Sequence, residues 1–290
     1  PQAKLIFTTS LLLGTTITIS SNHWMMAWAG LEINTLAVLP LIAKPHHPRA
    51  IEAATKYFLT QSAASALVLF ASMTNAWHTG QWDITQLNHP LSCLIMTAAI
   101  SMKLGLVPFH FWFPEVLQGS SLMTSLLLST AMKFPPMTLL LMTSQSLNPT
   151  LLATMAILSA AIGGWMGLNQ TQTRKIMAFS SISHLGWMAI IAVYSPKLAL
   201  LNFYLYAMIT ATVFLILNHM NVLKLSTLMT SWTKTPSLSA ILLLTLLSLA
   251  GLPPLTGFLP KWLIIQELTK QDMALAAVMI SLLSLLSLFF

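Results

Sequence analysis

Residues Leu94–Val116 read LIMTAAISMKLGLVPFHFWFPEV, an apolar run that contains Lys103, a proline at Pro108 and a histidine at His110. A charged side chain near the middle of a bilayer costs about 2.5 to 3.5 kcal/mol on insertion scales, so such residues usually face a partner or a water-filled path. Proline cannot donate a backbone hydrogen bond and therefore interrupts a helix. The stretch predicts a broken membrane helix in which the lysine has a function.

The whole chain has the composition of an integral membrane protein. Of its 290 residues, 56% are hydrophobic and 7% are charged, whereas soluble domains contain about 25% charged residues. The basic residues are spread singly among apolar runs and form no basic face, which argues against nucleic acid as a partner. A single cysteine, Cys93, excludes a disulfide framework and a cysteine-bound zinc or iron–sulfur site within this chain. Glycine-rich nucleotide motifs are also absent, so we expect no cofactor and no metal site here.

The two ends of the sequence suggest that the natural chain continues. Pro1 stands where an initiating Met is expected, and Phe290 lies inside an apolar run, where a free carboxylate would be costly. Lys4 followed by an apolar run superficially resembles a signal peptide. Because no small-residue cleavage site follows and further apolar segments come directly after, we interpret this run as the first membrane span.

Breaks at charged, Pro, Asn and Gly clusters divide the chain into about ten apolar units, each near the roughly 20 residues that a membrane helix needs. The connections are short, so the sequence predicts an all-α polytopic membrane protein without an attached soluble domain. The predicted spans are residues 2–21, 24–43, 53–76, 90–107, 116–143, 149–168, 174–194, 198–223, 237–268 and 273 onward.

Two of these units contain proline breaks. The fourth breaks at Pro108, and the ninth breaks at Pro253, Pro254 and Pro260. If the chain consists of two repeats of five spans, the breaks fall at the same position in each, and the odd number of spans makes the repeats inverted. Transporters with this pattern use broken helices to form an ion site near the midplane. Prolines that only kink ordinary spans are the alternative. The predicted repeats comprise residues 1–145 and 146–290, the second truncated at its C-terminus.

The basic loop residues are distributed unequally between the two sides of the membrane. By the positive-inside rule, the N-terminus lies in the cytoplasm, or in the matrix if the protein is mitochondrial. The N-terminal side carries Lys4, Lys44, Arg49, Lys56, Arg174, Lys175, Lys224 and Lys234, whereas the other side carries Lys197 and Lys270.

One acidic residue lies at membrane depth. Glu32 stands eight residues after Trp24 and twelve before Lys44, or about 12 and 18 Å from the two ends of its span. A glutamate is too short to reach the interface from there, so it must be protonated, paired or hydrated. A structural ion pair without a transport role is the alternative.

Three lysines, Lys103, Lys133 and Lys261, belong to no loop. Apolar helix follows Lys133 for ten residues, about 15 Å, which exceeds the reach of a lysine side chain. For the other two lysines, snorkelling to an interface is the alternative. Isolated, these lysines and the glutamate would cost on the order of 10 kcal/mol, so we expect them to form a chain that passes protons.

An ordinary interfacial ion pair is expected between Glu52 and Lys56, which lie four residues apart at a span entrance.

Two histidines extend this set. His184 stands eleven residues into the seventh span among Ser180, Ser181 and Ser183, groups that hold water or pass a proton. A histidine satisfied within the core is the alternative. His110 follows the proline break directly, where it is either a relay member or an interface residue.

Five segments resemble a known family in both sequence and order. They closely resemble the antiporter-like membrane subunits of mitochondrial NADH:ubiquinone oxidoreductase, respiratory complex I, over nearly the whole chain. The resemblance implies a proton-pumping fold, similar to cation/proton antiporters, made of inverted five-helix repeats with broken helices. The segments are WAGLEINTLAVLP (28–40), PRAIEAATKYFLTQSAAS (48–65), MKLGLVPFHFWFPEVLQG (102–119), GLNQTQTRKIMAFSSISHLGWM (167–188) and GLPPLTGFLPKW (251–262).

The resemblance also implies roles and partners. NAD, FMN, iron–sulfur clusters and ubiquinone would bind other subunits of the assembled complex. Partners would be the other core and accessory subunits and membrane lipids such as cardiolipin, in the mitochondrial inner membrane, with the N-terminus in the matrix. An autonomous monovalent cation/proton antiporter and a structural membrane scaffold are the other functions that stay open. The implied relay residues are Glu32 as the essential glutamate, Lys103 as its paired lysine, Lys133 as the central lysine, Lys261 as the lysine at the second broken helix, and His110 and His184 as relay or hydration groups.

Overall fold

The computed structural model describes residues 2–44 and 46–289, and helices joined by short connections dominate both ranges. Within them no β-strand forms, and two isolated bridges join loop backbones. The predicted all-α architecture is therefore confirmed. The helices are α1 (Gln2–Ser20), α2 (Trp24–Ala43), α3 (Pro48–Thr79), α4 (Pro90–Leu104), α5 (Trp112–Gly119), α6 (Leu122–Ser129), α7 (Phe134–Met142), α8 (Pro149–Gly167), α9 (Thr173–Ala192), α10 (Pro196–Met220), α11 (Leu225–Ser231), α12 (Pro236–Ala250), α13 (Phe258–Lys270) and α14 (Ala274–Leu286), with 3-10 turns at Ala131–Lys133 and Ser287–Phe289.

Many of these helices match the dimensions of a bilayer. Over the described residues, 6 helical segments are long and apolar enough to cross a membrane, and α4, α12 and α14 are shorter apolar helices. Large apolar side chains also cover the outside, such as Leu59 at 65% and Met208 at 69% exposure. Such a surface is unstable in water but suits contact with lipid chains. The chain is a multi-pass membrane protein.

The fifth predicted span, 116–143, corresponds to the apolar segment Leu122–Met142, which is interrupted within the membrane span. Helix α6 begins at Leu122, and the 3-10 turn at Ala131–Lys133 separates it from α7. The cause is the proline pair Pro135–Pro136, since neither residue can donate a backbone hydrogen bond to the preceding turn and both rings crowd it. Lys133 thus lies at an interruption that the sequence analysis did not predict.

The ninth predicted span is broken, but Pro260 is not one of the breaks. Helix α12 ends at Ala250 and α13 begins at Phe258, so the interruption surrounds Pro253 and Pro254. Pro260 occupies the first turn of α13, where backbone N–H groups lack a partner within the helix, so a proline is tolerated. The short helix α11 was also not predicted.

The chain divides into two compact units. The first contains the chain up to Ser120 together with Met132–Leu152, and the second contains Ser121–Ala131 together with the chain from Ala153 onward. In the first unit, α3 packs against α2, α4 and α5, and α7 packs against α1 and α4. In the second, α10 packs against α6, α9, α12 and α13. These units are defined by packing, and the repeat boundary at residue 145 stays a prediction.

Two glycines allow α1 and α2 to approach closely. A Cβ atom on Gly30 would lie 2.9 Å from the backbone oxygen of Gly14 and 2.6 Å from Cγ2 of Thr18. A Cβ atom on Gly14 would lie 2.9 Å from the backbone oxygen of Gly30. Small residues at such crossings let membrane helices gain packing contacts where no hydrophobic effect drives association. This crossing positions α2, which carries Glu32.

Replacing Gly30 with valine should force α1 and α2 apart. We expect a loss of about 1–3 kcal/mol, the usual effect of overpacking a well-packed interface, measured as a lower melting temperature in detergent. Leu36→Val on the exposed face of α2 is the matched control, and it should leave the melting temperature nearly unchanged. Equal shifts for the two variants would contradict a close crossing at Gly30.

Candidate functional site

In the first unit, a helix break lies beside a buried lysine. Helix α4 ends at Leu104, and Gly105 adopts a left-handed conformation with φ of 80°. Two side chains from elsewhere satisfy carbonyls at this open end. The indole of Trp112 donates to the Met102 carbonyl at 3.3 Å, and the amide of Gln61 donates to the Lys103 carbonyl at 3.4 Å. The break predicted around Pro108 is confirmed.

The Lys103 side chain is buried at this break. It is 6% exposed, and its ammonium nitrogen is enclosed without a hydrogen-bond partner. This burial rules out snorkelling to the interface. A buried ammonium without a hydrogen bond is costly, so a nearby charge is needed to stabilise it.

Glu32 lies within electrostatic range of Lys103 and of the hydroxyl of buried Tyr57. Its Oε2 atom is enclosed without a hydrogen-bond partner. Among the ion pairs of the described residues, none within 4.0 Å joins Glu32 to Lys103. The two groups therefore do not form a direct ion pair.

His110 and Lys133 lie in the same unit. The His110 ring is 1% exposed, and its centre lies 4.2 Å from that of the Phe111 ring at an angle of 34°. Lys133 is 3% exposed, and its ammonium lies 4.6 Å from the centre of the Phe113 ring. The negative face of an aromatic ring attracts a cation, so Phe113 on α5 stabilises charge at Lys133.

In the second unit, a lysine binds the end of α12 at the break between α12 and α13. Lys261 on α13 donates to the Ala250 carbonyl at 2.7 Å, at the last residue of α12. Its ammonium also lies 5.9 Å from the Trp187 ring. Gly251, with φ of 84°, lies directly against this side chain, because a Cβ atom there would be 2.9 Å from the lysine nitrogen. Lys261 therefore binds the negative end of a helix dipole.

His184 lines a small cavity in the same unit. The cavity measures about 40 Å³ and is also lined by Ser180, Ser183 and Ala250, the residue whose carbonyl binds Lys261. A polar cavity needs about 10–15 Å³ to hold one water, so this one has room for water. The His184 ring also lies 5.3 Å from Tyr206. Thus His184 and Ala250, the residue that binds Lys261, line the same cavity.

The predicted interfacial pair is present and extends further than expected. Lys56 binds Glu52, and it also binds Glu115 at 2.6 Å. Because Glu115 lies on α5, the second contact joins α3 to the helix after the break. These side chains are largely solvent-exposed, so they contribute little to stability.

Several groups that surround the lysines were not predicted from the sequence, although a repeated segment contains three of them, Trp112, Phe113 and Glu115. Segments 105–116, GLVPFHFWFPEV, and 251–262, GLPPLTGFLPKW, share Gly-Leu at the start, a proline at the fourth position and a proline at the tenth. This alignment places Glu115 opposite Lys261. The two breaks therefore share a backbone pattern but carry opposite charges after the second proline. The missed groups are Tyr57, Gln61, Trp112, Phe113, Glu115 and Trp187.

Replacing Trp112 with phenylalanine should weaken the break in the first unit. The change removes the donor to the Met102 carbonyl while it keeps an aromatic ring, so we expect a loss of about 0.5–1.5 kcal/mol. The melting temperature of the purified assembly reports the effect. Trp77→Phe, on the exposed surface of α3, is the control, and a shift as large as that of Trp112→Phe would contradict the assignment.

Known proteins share this sequence and fold. A family model described as NADH:quinone oxidoreductase/Mrp antiporter, TM, matches residues 21–287. The NADH-ubiquinone oxidoreductase chain 2 of Mareca falcata is 78% identical over 290 residues, which cover 100% of this chain and 84% of that protein. The chain 2 protein of Struthio camelus is 75% identical over the same 290 residues, with the same 100% and 84% coverage.

Solved structures agree with these sequence matches. A chain of respiratory complex I from Thermus thermophilus, solved with bound aureothin, superposes with a TM-score of 0.92 at 29% identity and covers 100% of this chain and 69% of its own length. A chain of the Mrp complex from a Dietzia species has a TM-score of 0.86 at 17% identity over 97% of this chain and 58% of its own, and so shares the fold. The family implied by the quoted segments is confirmed: the chain belongs to the NADH-ubiquinone oxidoreductase chain 2 family of antiporter-like membrane proteins.

Proposed function

We propose that this chain is a core membrane-arm subunit of a proton-pumping NADH:ubiquinone oxidoreductase, in which buried Glu, Lys and His side chains move protons. The observation that carries the proposal is the enclosed Lys103 ammonium, which has no hydrogen-bond partner and interacts with the Glu32 carboxylate. An inert ion pair would be expected to close to direct contact, because direct contact offsets the desolvation of both charges. Membership of the chain 2 family supports the same function.

In the proposed mechanism, Glu32 controls the proton on Lys103. Redox energy released in other subunits reaches this chain as an electrostatic or conformational change. When that change removes the negative charge of Glu32, the ammonium loses its stabilising partner in a medium of low dielectric and releases its proton. When the charge returns, Lys103 takes up a proton again.

The released proton then needs further carriers. Lys133 is one, because the Phe113 ring stabilises a cation there. Lys261 is another, because the Ala250 carbonyl accepts a hydrogen bond from its ammonium, and the nearby cavity gives His184 space for water. No electron passes through this chain. The proposed relay comprises Glu32, Lys103, Lys133 and Lys261, with His110 and His184 as relay or hydration groups.

The proposal includes the surroundings of the chain. NAD, FMN, iron–sulfur clusters and ubiquinone bind other subunits of the assembly, and the partners are those core and accessory subunits together with membrane lipids such as cardiolipin. The location is the mitochondrial inner membrane. The excess of basic residues in the loops on one side supports an N-terminus in the matrix.

Purification from the native membrane tests the proposal against an autonomous antiporter. We expect the chain to co-purify with flavin and iron–sulfur subunits, and NADH oxidation by that particle to drive proton uptake into vesicles. Its fold is shared with an Mrp complex chain, so antiport is the second candidate. An isolated chain that exchanges Na⁺ or K⁺ for protons without NADH would establish the antiporter and overturn the complex I assignment.

A high-resolution map of the assembled particle tests the alternative hypothesis that the chain is a structural scaffold. The relay predicts ordered water between Glu32 and Lys103 and in the cavity beside His184. A scaffold with inert ion pairs predicts dry surroundings at these lysines and substitutions that affect assembly alone.

A further inference from the structure

A groove in the second unit lies beside the connection between α10 and α12. Its volume is about 330 Å³, and its walls include Met220 at the end of α10, Leu228, Met229 and Trp232 in or next to α11, and Leu242 and Leu246 on α12. The lining reaches from Ser239 to Leu246 along α12, about 10 Å at 1.5 Å per residue. The groove thus begins near the end of α10 and the start of α12 and continues along α12 toward the bilayer interior.

The groove suits an apolar occupant. Its two lining hydroxyl groups are already used within the chain, since Ser231 donates to the Leu228 carbonyl at 2.6 Å and Ser239 donates to the Pro236 carbonyl at 2.9 Å. An occupant therefore meets mainly hydrocarbon side chains. A hydrocarbon chain has no hydrogen bonds to lose in such a groove, whereas a polar segment would leave its own polar groups without partners.

Two basic residues, Lys224 and Lys234, flank the lining residues of α11 in the chain. The Lys224 carbonyl accepts from the backbone N–H of Leu228 at 3.2 Å, and the backbone N–H of Lys234 donates to the Ser231 carbonyl at 3.0 Å. Both lysines are exposed, and each backbone is thus bonded directly to a lining residue. Arg174 and Lys175 follow shortly after Gln172, whose backbone forms a bridge with Lys224.

No acidic residue neutralises these basic residues from nearby sequence. Between Glu115 and Glu267 the chain contains neither Asp nor Glu. Within the described part of the chain, the ion pairs involve Lys56 and Lys270 and not these lysines. Basic clusters beside a membrane surface attract anionic lipid headgroups.

We propose that this groove is a binding site for an anionic phospholipid, with an acyl chain between α11 and α12 and the phosphate at Lys224 and Lys234. The site gives a place in the fold to the lipid contact included in the proposed function. It involves none of the relay residues, so the two can fail independently. A helix of a neighbouring subunit is the competing occupant.

Photolabelling of the purified assembly in nanodiscs tests this site. Two probes carry the same photoreactive acyl chain, one on phosphatidylglycerol and one on phosphatidylcholine. We expect at least threefold more labelling of the peptide spanning residues 225–246 by phosphatidylglycerol. The Lys224→Gln/Lys234→Gln double variant should remove that preference, whereas Lys197→Gln, an exposed lysine of the same unit, should keep it.

A second pair of variants tests the groove itself. Leu243 lines it and Leu244 does not, although both are exposed on α12, at 47% and 54%. Leu243→Trp should reduce labelling by both probes, and Leu244→Trp should not. Equal labelling by the two headgroups would overturn the proposal, and so would a peptide that crosslinks to another polypeptide and to no lipid. Lys103→Ala should leave the labelling unchanged, which separates this site from the proton relay.

Discussion

Replacing Lys103 with alanine should reduce the rate of NADH-driven proton pumping by about a hundredfold, the lower end of what positioned proton-transfer groups contribute. The substitution removes the buried amine that the proposed relay pairs with Glu32. It also leaves that carboxylate without the cation on which it acts. Pumping is measured in proteoliposomes with a pH-sensitive dye, alongside the rate of NADH oxidation. Lys197→Ala, at an exposed position in the first turn of α10, is the matched control.

A double-mutant cycle sharpens this test. Glu32→Gln alone should impair pumping to a similar extent, and the double variant should be little worse than either single variant, because both act on one pair. Native gels check that each variant assembles in normal amounts. An unchanged number of protons per NADH in both single variants would refute the relay, and normal pumping with reduced assembly would favour a scaffold.

Replacing Gly251 with alanine should have the second large effect, and Gly105→Ala provides a matched comparison. Both glycines have left-handed backbones, with φ of 84° and 80°, where an alanine costs about 1–2 kcal/mol. At Gly105 the nearest atom to a new Cβ would be 3.5 Å away, an ordinary contact with Trp112. At Gly251 the new Cβ would lie 2.9 Å from both Cδ and Nζ of Lys261.

The extra methyl group at Gly251 therefore displaces the lysine from the Ala250 carbonyl. A hydrogen bond to a charged group contributes about 1.5–3 kcal/mol, so the melting temperature should fall further for Gly251→Ala than for Gly105→Ala. Pumping should fall only with Gly251→Ala. Equal melting temperatures for the two variants, with pumping intact in both, would show that the contact between Lys261 and Ala250 has no role.

The burial of the lysines could be predicted from the sequence because it follows from distance along a helix. Lys133 lies too far from either end of its apolar segment for its side chain to reach water, and the structure confirms that it is buried. The break before Pro108 was predictable for a similar reason, since proline acts on the turn that precedes it. Both predictions rest on local geometry.

Several groups around the lysines, such as Tyr57, Gln61 and Trp187, could not be predicted in this way because they come from distant parts of the chain. Gln61 precedes the carbonyl that it caps by 42 residues, and no periodicity relates the two positions. The interruption at Lys133 could have been predicted from the proline pair that follows it. The long apolar run favoured a single span instead. Whether protons use these groups stays a prediction.

Helix α3 carries two contacts that differ in kind. Lys56 binds Glu115 near one end of the helix, and Gln61, five residues further on, binds the carbonyl at the end of α4. Their backbones are about 7.5 Å apart along a single stiff rod, and both contacts lead to segments that flank the same break. A sliding or turning movement of α3 therefore shifts both contacts at once. Helix α3 thus connects an ion pair at the surface to the backbone that carries the buried lysine.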